Sequence, residues 1–583
     1  MYSMKERARA LMEKAIQQWS EEKKTTLPES FFPEVERTEN EVHGDYATNA
    51  AMRLARVVKK NPIELAKAFA TSCSALDTRD DFERIEAVGG YVNFFISRRA
   101  LNETLFSVLE EGDEFGNSDE GKGKTIIIEY FQLNAAKRPH VGHICSALLG
   151  DSLKRIIRSR GFRTLSDTHV GDWGTQFGIL IAAYKKFGDR AVIEREPLEE
   201  LEKLYIKYHE AMEEAPSLRE IGKEEFAKLE AGDKENRKLW EWFNEVSMRK
   251  LHEMSALLGL EPFNLHLGES FYEDKQQVVL DELLQKGVAK EGTKGAVIAD
   301  LSEWGLDDAV ARKSDGASTY LLRDLAKLRY VWGEYRYFRN IYVVDSRQEH
   351  HFKQVFKVAE LLGWGGVKES VHVSYGFMKL PTGMLSTREG NIVKLEAVVH
   401  EAKARAKKII EQKNPNLKDK ERTAYLVGLA ALKYFNLAHN PKSDITFVWE
   451  EALNFEGNSG PYLEYTHARI HGILRKAGKE ANEAFKTSSF ADVELDLREL
   501  RLLRHITRFG ETIDTVAKEY APHKLCLYLF ELAQAFNAFY QEVPVMKEDN
   551  KTLRAFRLGL IRGVAQTMKN GLSLLGIEPL DEM

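Results

Sequence analysis

The chain has few of the residues that staple or anchor a fold. Its 583 residues include only three cysteines, Cys73, Cys145 and Cys526, far apart and with no Cys-x-x-Cys pair. That argues against a disulfide framework or a thiolate zinc site and fits a reducing cytoplasm. No stretch approaches the roughly 18 uncharged apolar residues of a membrane span. The N-terminal MYSMKERARALMEKAIQQW is an amphipathic helical pattern without the apolar centre of a signal peptide. Internal repeats and low-complexity tracts are also missing. Positive charge is not in excess: 84 Lys and Arg against 90 Asp and Glu give a net charge of −6. No chain-wide basic field attracts a polyanion, although a large acidic protein can still carry a local basic face.

What is present is the composition of a soluble globular protein, 43% hydrophobic and 30% charged. The length exceeds what one core can organise, so several domains are expected. Residues 1–118 read as a small α+β domain, with a helix first, then HGDYATNAAMRLARVVKKNP running into a helix that ends before Pro62, then the alternating strand GGYVNFFIS. From Lys124 the texture changes. TIIIEYF has the β-branched run of a buried parallel strand, a helix from His143 to about Ser159 follows, then the strand TLSDTHV and the helix GTQFGILIAAYKKFG. Strand, helix, strand, helix predicts an α/β, doubly wound, Rossmann-type parallel sheet over 119–445. A charged helical insertion interrupts it at about 189–290, and GAVIADL, NIYVVDS and SVHVSYG resume it. Residues 446–583 read as an all-α bundle.

The most informative loop is Asn134-Ala-Ala-Lys137-Arg-Pro-His140-Val-Gly142-His143, between a strand and a helix. Backbone amides at the helix start make such a turn an anion site. His140 and His143 can each offer an N–H to phosphate, Gly142 leaves room for a flat base, and Lys137 adds a mobile charge. Alone, the four residues would equally suit two surface histidines; the strand-to-helix position favours phosphate.

His140-Val-Gly-His143 resembles the first signature of class I aminoacyl-tRNA synthetases. HVGDWGTQFG, KSDGASTYLLRDLA, VVDSRQEHHFKQVF and FEGNSGPYLEYTHARI are similar to stretches of the arginyl-tRNA synthetase family. HGDYATNAAM resembles its N-terminal tRNA-contacting domain, and ELAQAFNAFYQEVPVM with NGLSLLGI its helical anticodon-binding domain. The resemblance covers nearly the whole chain in the family's order.

It implies ATP-dependent ligation of L-arginine to tRNA(Arg), with Mg2+ accompanying ATP, no structural metal, no membrane partner, and a cytoplasmic monomer. The residues matching the family's arginine contacts are Glu129, Asn134, Tyr320, Asp324 and Gln348. The chemistry agrees with that implication. A guanidinium needs a carboxylate fork, and Tyr320 and Asp324, four apart in a helical stretch, share a face. Glu129 within an apolar strand calls for a positive partner, which a substrate guanidinium would supply. His140, Gly142 and His143 would bind ATP together with a second loop, where Met384-Leu-Ser386-Thr387-Arg388 aligns with the family's Lys-Met-Ser-Lys-Ser. Both lysines of that loop are replaced, and Lys137, with His140 and His143, is expected to stabilise the pyrophosphate. Phe131-Gln132-Leu133 stands where the family has Ser-Ser-Pro, and Cys145 where it has Arg. Arg498, Arg501, Arg504 and Arg508 recur three or four apart, a positive stripe on a helix. Phe539 and Tyr540 are aromatics of the kind that read unstacked bases. Arg501, Arg504, Arg508, Phe539 and Tyr540 are therefore the expected tRNA contacts.

Overall fold

The structure is a computed structural model and describes residues 3–28, 31–292, 295–379, 394–482, 490 and 493–583. The chain opens with α1 (Met4–Glu22), β1 (Glu36–Arg37), β2 (Tyr46–Thr48), α2 (Ala50–Val58), α3 (Pro62–Leu76), β3 (Phe82–Val88), β4 (Tyr91–Ile96) and α4 (Arg98–Glu111). Local chemistry sets these bounds. Ser3 caps α1 by accepting the Glu6 N–H at 3.2 Å, and Asn61 caps α3, whose first residue is Pro62. Proline suits that position because its missing N–H would have no helical partner there. The strands form one antiparallel sheet in the order β1-β2-β4-β3, backed by the helices.

The central region runs β5 (Thr125–Glu129), α5 (Gly142–Ser159), β6 (Arg163–Asp167) and α6 (Thr175–Phe187). The insertion follows as α7 (Arg190–Arg195), α8 (Pro197–Glu214), α9 (Ser217–Glu230) and α10 (Lys234–Leu257). Next come α11 (Gln276–Gln285), β7 (Lys290–Glu291), β8 (Val297–Ala299), β9 (Ala309–Arg312), α12 (Tyr320–Tyr335), β10 (Arg339–Asp345), α13 (Glu349–Leu361) and β11 (Ser370–Tyr375). Four of these strands make a wholly parallel sheet, β11-β10-β5-β6. The order reverses between β5 and β10, which puts the switch point, and the usual ligand crevice, at their carboxyl ends. The alternation of β5 serves both faces. Ile126 and Ile128 join the large core that includes α5, while Ile127 packs with Val331 and Tyr337 at the end of α12. One expected member is missing: β8, within GAVIADL, pairs antiparallel with β7 and β9 in a separate small sheet. Its Val297 and Ala299 pack into the α11–α12–α13 cluster, which buries the same apolar pattern without a place in the parallel sheet.

Then follow β12 (Met378–Lys379), α14 (Leu395–Lys413), α15 (Lys420–Leu437), β13 (Ile445–Thr446), α16 (Trp449–Ala452) and α17 (Gly460–Ala477). The chain ends with α18 (Leu497–Thr507), α19 (Phe509–Glu519), α20 (Pro522–Glu542) and α21 (Lys551–Leu574). α18 starts with a capping box between Asp496 and Glu499. The N-terminal domain rests on this bundle through α4, which packs on α18 and α21. Asp45, buried, accepts from the Ile96 N–H at 2.9 Å and pairs with Arg504 at 3.1 Å and Arg508 at 3.4 Å. The Tyr46 hydroxyl donates to Glu511 at 2.9 Å. Among the described residues no helix is long and apolar enough to cross a membrane.

Candidate active site

The turn between β5 and α5 is held from several sides. The Phe131 N–H donates to Ser146 Oγ at 2.9 Å, and the Ser146 hydroxyl donates to the Val343 carbonyl at 3.2 Å, tying the turn to α5 and β10. Phe131 and Leu133 are buried, so the two apolar replacements before Asn134 serve as packing under the turn. Gln132 instead donates to Glu129 Oε1 at 3.2 Å. The Ala136 N–H donates to Ser247 Oγ at 2.9 Å, which makes α10 of the insertion a support of the turn.

The two histidines then fix one another. The His140 N–H donates to Nδ1 of His143 at 3.1 Å, and the Gly142 N–H donates to Nδ1 of His140 at 3.1 Å. With each Nδ1 accepting, the proton of each neutral ring sits on Nε2. Burial lowers both imidazoles, His143 to about 3, where the neighbouring His140 adds to the effect. Both rings are therefore neutral near pH 7 and present Nε2–H donors 4.0 Å apart by ring centre. A Cβ on Gly142 would lie 2.9 Å from the His140 ring, so glycine is needed first for that ring to fold over the helix start. Lys137 is exposed, 5.5 Å from the Tyr205 ring, and has no carboxylate partner among the described residues. Arg138 pairs with Glu199 and Glu202 of α8.

The second loop of the sequence reading, with Met384, Ser386, Thr387 and Arg388, lies outside the described residues. Its flanks do not: Lys379 pairs with Asp444 at 3.0 Å, and Lys394 bridges to His140 and pairs with Glu199 at 3.0 Å. The chain thus returns from that loop directly onto the histidine turn.

The five expected arginine contacts gather around the switch point. Asn134 and Tyr320 line one open cleft of ≈ 810 Å³. Asn134 is seated over Gly171, where an added Cβ would lie 2.4 Å from its Oδ1. Tyr320 and Asp324 stand one turn apart on α12, and Gln348 is exposed beyond the end of β10. Glu129 is buried at the end of β5. Its partner is one the sequence reading missed: Lys327, also on α12, donates to Glu129 Oε2. Burial pushes the Lys327 ammonium down. Asp324 also has a partner, His351 Nε2 at 2.6 Å. The spacing 320, 324, 327 could have revealed Lys327, since all three residues fall on one helical face.

The insertion, which carried no legible motif, builds the cleft's other wall with Glu230, Glu269 and Glu273. Glu269 pairs with Arg323 at 3.1 Å, and burial with nearby Glu230 raises Glu273 to about 7. The insertion also fixes the HVGDWG segment. Asp172 accepts from the Ser270 N–H at 2.8 Å and the Ser270 hydroxyl at 2.6 Å, and the Trp240 indole donates to the Asp172 carbonyl at 2.7 Å.

The basic stripe of α18 is largely spent inside the protein. Arg504 and Arg508 hold Asp45, Arg498 pairs with Glu542, and Arg501 reaches Glu41 at 3.4 Å while staying exposed. Phe539 is fully buried in the bundle core, whereas Tyr540 is exposed and stacks on Phe536. Only Arg501 and Tyr540 of the five expected tRNA contacts face outward here; the others answer the alternative demands of salt bridging and core packing.

A paired-histidine turn at the switch point of a parallel sheet, with an open cleft beside it and a helical domain after it, follows the plan of the class I aminoacyl-tRNA synthetases. Residues 104–449 match the tRNA synthetases class I (R) catalytic domain, 463–583 the DALR anticodon binding domain, and 6–96 the arginyl tRNA synthetase N terminal domain. The chain belongs to the arginyl-tRNA synthetase family. The arginine–tRNA ligase of Clostridioides difficile (strain 630) is 40% identical over 550 residues, 94% of this chain and 95% of that one. That of Alkaliphilus metalliredigens (strain QYMF) is 38% identical over the same shares. The solved arginyl-tRNA synthetase of Thermus thermophilus superposes with a TM-score of 0.81 at 26% identity, over 99% of this chain and all of its own.

Proposed function

We infer that the chain ligates L-arginine to its tRNA at the expense of ATP, in translation and in the cytoplasm. The observation that carries this is the pair of neutral histidines at the helix start, set at the switch point beside a cleft whose lining holds the carboxylates of Glu230, Glu269, Glu273 and Asp315 together with Arg312, Lys313 and Arg323. Such donors suit the phosphates of ATP, and such a cleft suits a cationic amino acid.

The reaction has two steps. The arginine carboxylate attacks the α-phosphate of magnesium-bound ATP in line, forming the acyl-phosphate bond as pyrophosphate leaves. No general base is required, because the nucleophile is already ionised. The Nε2–H groups of His140 and His143, with Lys137, face charge that grows on the phosphates, the usual source of rate in phosphoryl chemistry. The second loop, with Met384, Ser386, Thr387 and Arg388, would stabilise the same phosphates. Then the 2′-hydroxyl of the terminal adenosine attacks the arginyl carbonyl, AMP leaves, and the hydroxyl proton is lost. Asp324 takes the guanidinium, with Tyr320 beside it and Glu129, Asn134 and Gln348 around the remaining groups. On the tRNA side, Arg501 suits the backbone and Tyr540 an unstacked base.

ATP–pyrophosphate exchange with each of the twenty amino acids, with and without total tRNA, tests the reading. Exchange with arginine alone, in the presence of tRNA, is expected. No exchange with any amino acid, despite measurable tRNA binding, would leave a tRNA-binding relative without the activity. Asp324→Asn should raise the arginine KM about tenfold or more, the value of a charge-assisted hydrogen bond of ~1.5–3 kcal/mol, and leave the ATP KM unchanged. An unaltered arginine KM would remove Asp324 from the site.

A further inference from the structure

Three carboxylates around the expected amino-acid site are each met by a nitrogen donor of the protein itself. Arg323 pairs with Glu269, His351 with Asp324, and Lys327 with Glu129. The first two partners are partly exposed, with 19% and 22% of their side chains open, which leaves them room to yield their carboxylates to a substrate. Lys327 has no such room. Its side chain is 2% exposed and that of Glu129 4%, and its Nζ lies 5.4 Å from the buried Tyr342 ring. Both partners are fixed by regular structure. Glu129 shares the β5 face of Ile127, which points toward α12, and Lys327 lies one turn past Asp324 on that helix. The other oxygen of Glu129 is taken by Gln132.

We propose that Lys327 is a built-in counter-cation that sets the strength and charge selectivity of arginine recognition. Its ammonium holds the Glu129 carboxylate in the free enzyme, so the guanidinium or ammonium of arginine meets that acid as an already neutral pair. Asp324 can exchange its partner for the substrate; Glu129 can only share. The pocket is therefore one charge less negative than its acids alone would make it. Removing the lysine charge leaves a buried carboxylate with only the neutral Gln132 amide as partner, a costly state that a cationic substrate relieves on binding. The inference rests on the reading of Glu129 as an acid of the amino-acid site.

The test uses the full chain with tRNA present in ATP–pyrophosphate exchange, with arginine and with citrulline, its neutral isostere. Lys327→Met is expected to lower the arginine KM at least tenfold and to raise the arginine-over-citrulline ratio of kcat/KM. Lys327→Gln, which keeps a donor for Glu129, should shift both in the same direction and guards against misfolding of the methionine variant. Adding Glu129→Gln to either should abolish the gain. An arginine KM that is unchanged or higher in the lysine variants, while Glu129→Gln alone raises it, overturns the proposal and leaves Lys327 a support for Glu129. If Glu129→Gln alone has no effect on the arginine KM, the placement of Glu129 in the site fails, and the proposal with it.

Discussion

Asp45→Asn probes the joint between the two outer domains. The asparagine keeps the shape of the side chain, and its Oδ1 can still accept the Ile96 N–H. What it loses is the charge facing Arg504 and Arg508, which sit 3.1 and 3.4 Å away. Removing one partner of a buried ion pair costs about 3–5 kcal/mol, because the remaining charge is left desolvated. Here the lower end applies, since Arg504 is 19% exposed and can reach water, and Glu511 still acts on Arg508. About 3 kcal/mol corresponds to roughly a hundredfold rise in local opening. Global unfolding of a chain with several domains is not two-state, so the proper assay is hydrogen exchange at the amides of α18 and β4. Exchange there should accelerate by about two orders of magnitude at this loss of charge pairing, while β5 and β10 in the catalytic sheet stay protected. Asp45→Asn combined with Arg508→Met should recover part of the loss, because the pair is then removed as a unit. Protection in α18 unchanged within about threefold would mean that apolar packing of α4 alone holds the domains, and that the Asp45 network adds nothing.

Two other outcomes follow from the geometry. Lys137→Ala should cut kcat at least tenfold, about 1.4 kcal/mol of transition-state stabilisation, since Lys379 and Lys394 near the same turn are already paired with Asp444 and Glu199; a normal kcat in single-turnover exchange would pass that role to the second loop. His505 is held down to about 3, first by burial and then by Arg508. Its folded value is depressed, so stability is full above the unfolded value of about 6.5 and is lost as pH falls toward 3. His505→Gln should flatten the acid loss of stability by about 1.4 kcal/mol per pH unit between about pH 6 and 4. The same pH dependence of α18 amide protection in the two proteins would show that His505 does not titrate with opening of that helix.

How far the sequence exposed this site depends on whether a residue's job was local. The turn from Asn134 to His143 was legible because its histidine pairing closes within ten residues: the His143 ring accepts the His140 N–H, the His140 ring accepts the Gly142 N–H, and Gly142 makes room for that ring. β5 was legible because a run of isoleucines fits a sheet buried on both sides. β8 has the same texture on a smaller scale, but pattern alone cannot say which sheet a strand joins, and tertiary packing against α11 and α12 decided that. Charges proved hardest. A stripe of arginines on α18 looks identical whether it waits for a phosphate or holds Asp45, 459 residues earlier in the chain. Likewise Glu129 announced the need for a cation, and the sequence offered the substrate as its donor. The structure supplies Lys327 from a helix 198 positions away. The two answers are compatible if Glu129 shares its charge between both cations, and that is why substitution of the lysine, rather than of the glutamate, tests whether charge selectivity turns on this pair.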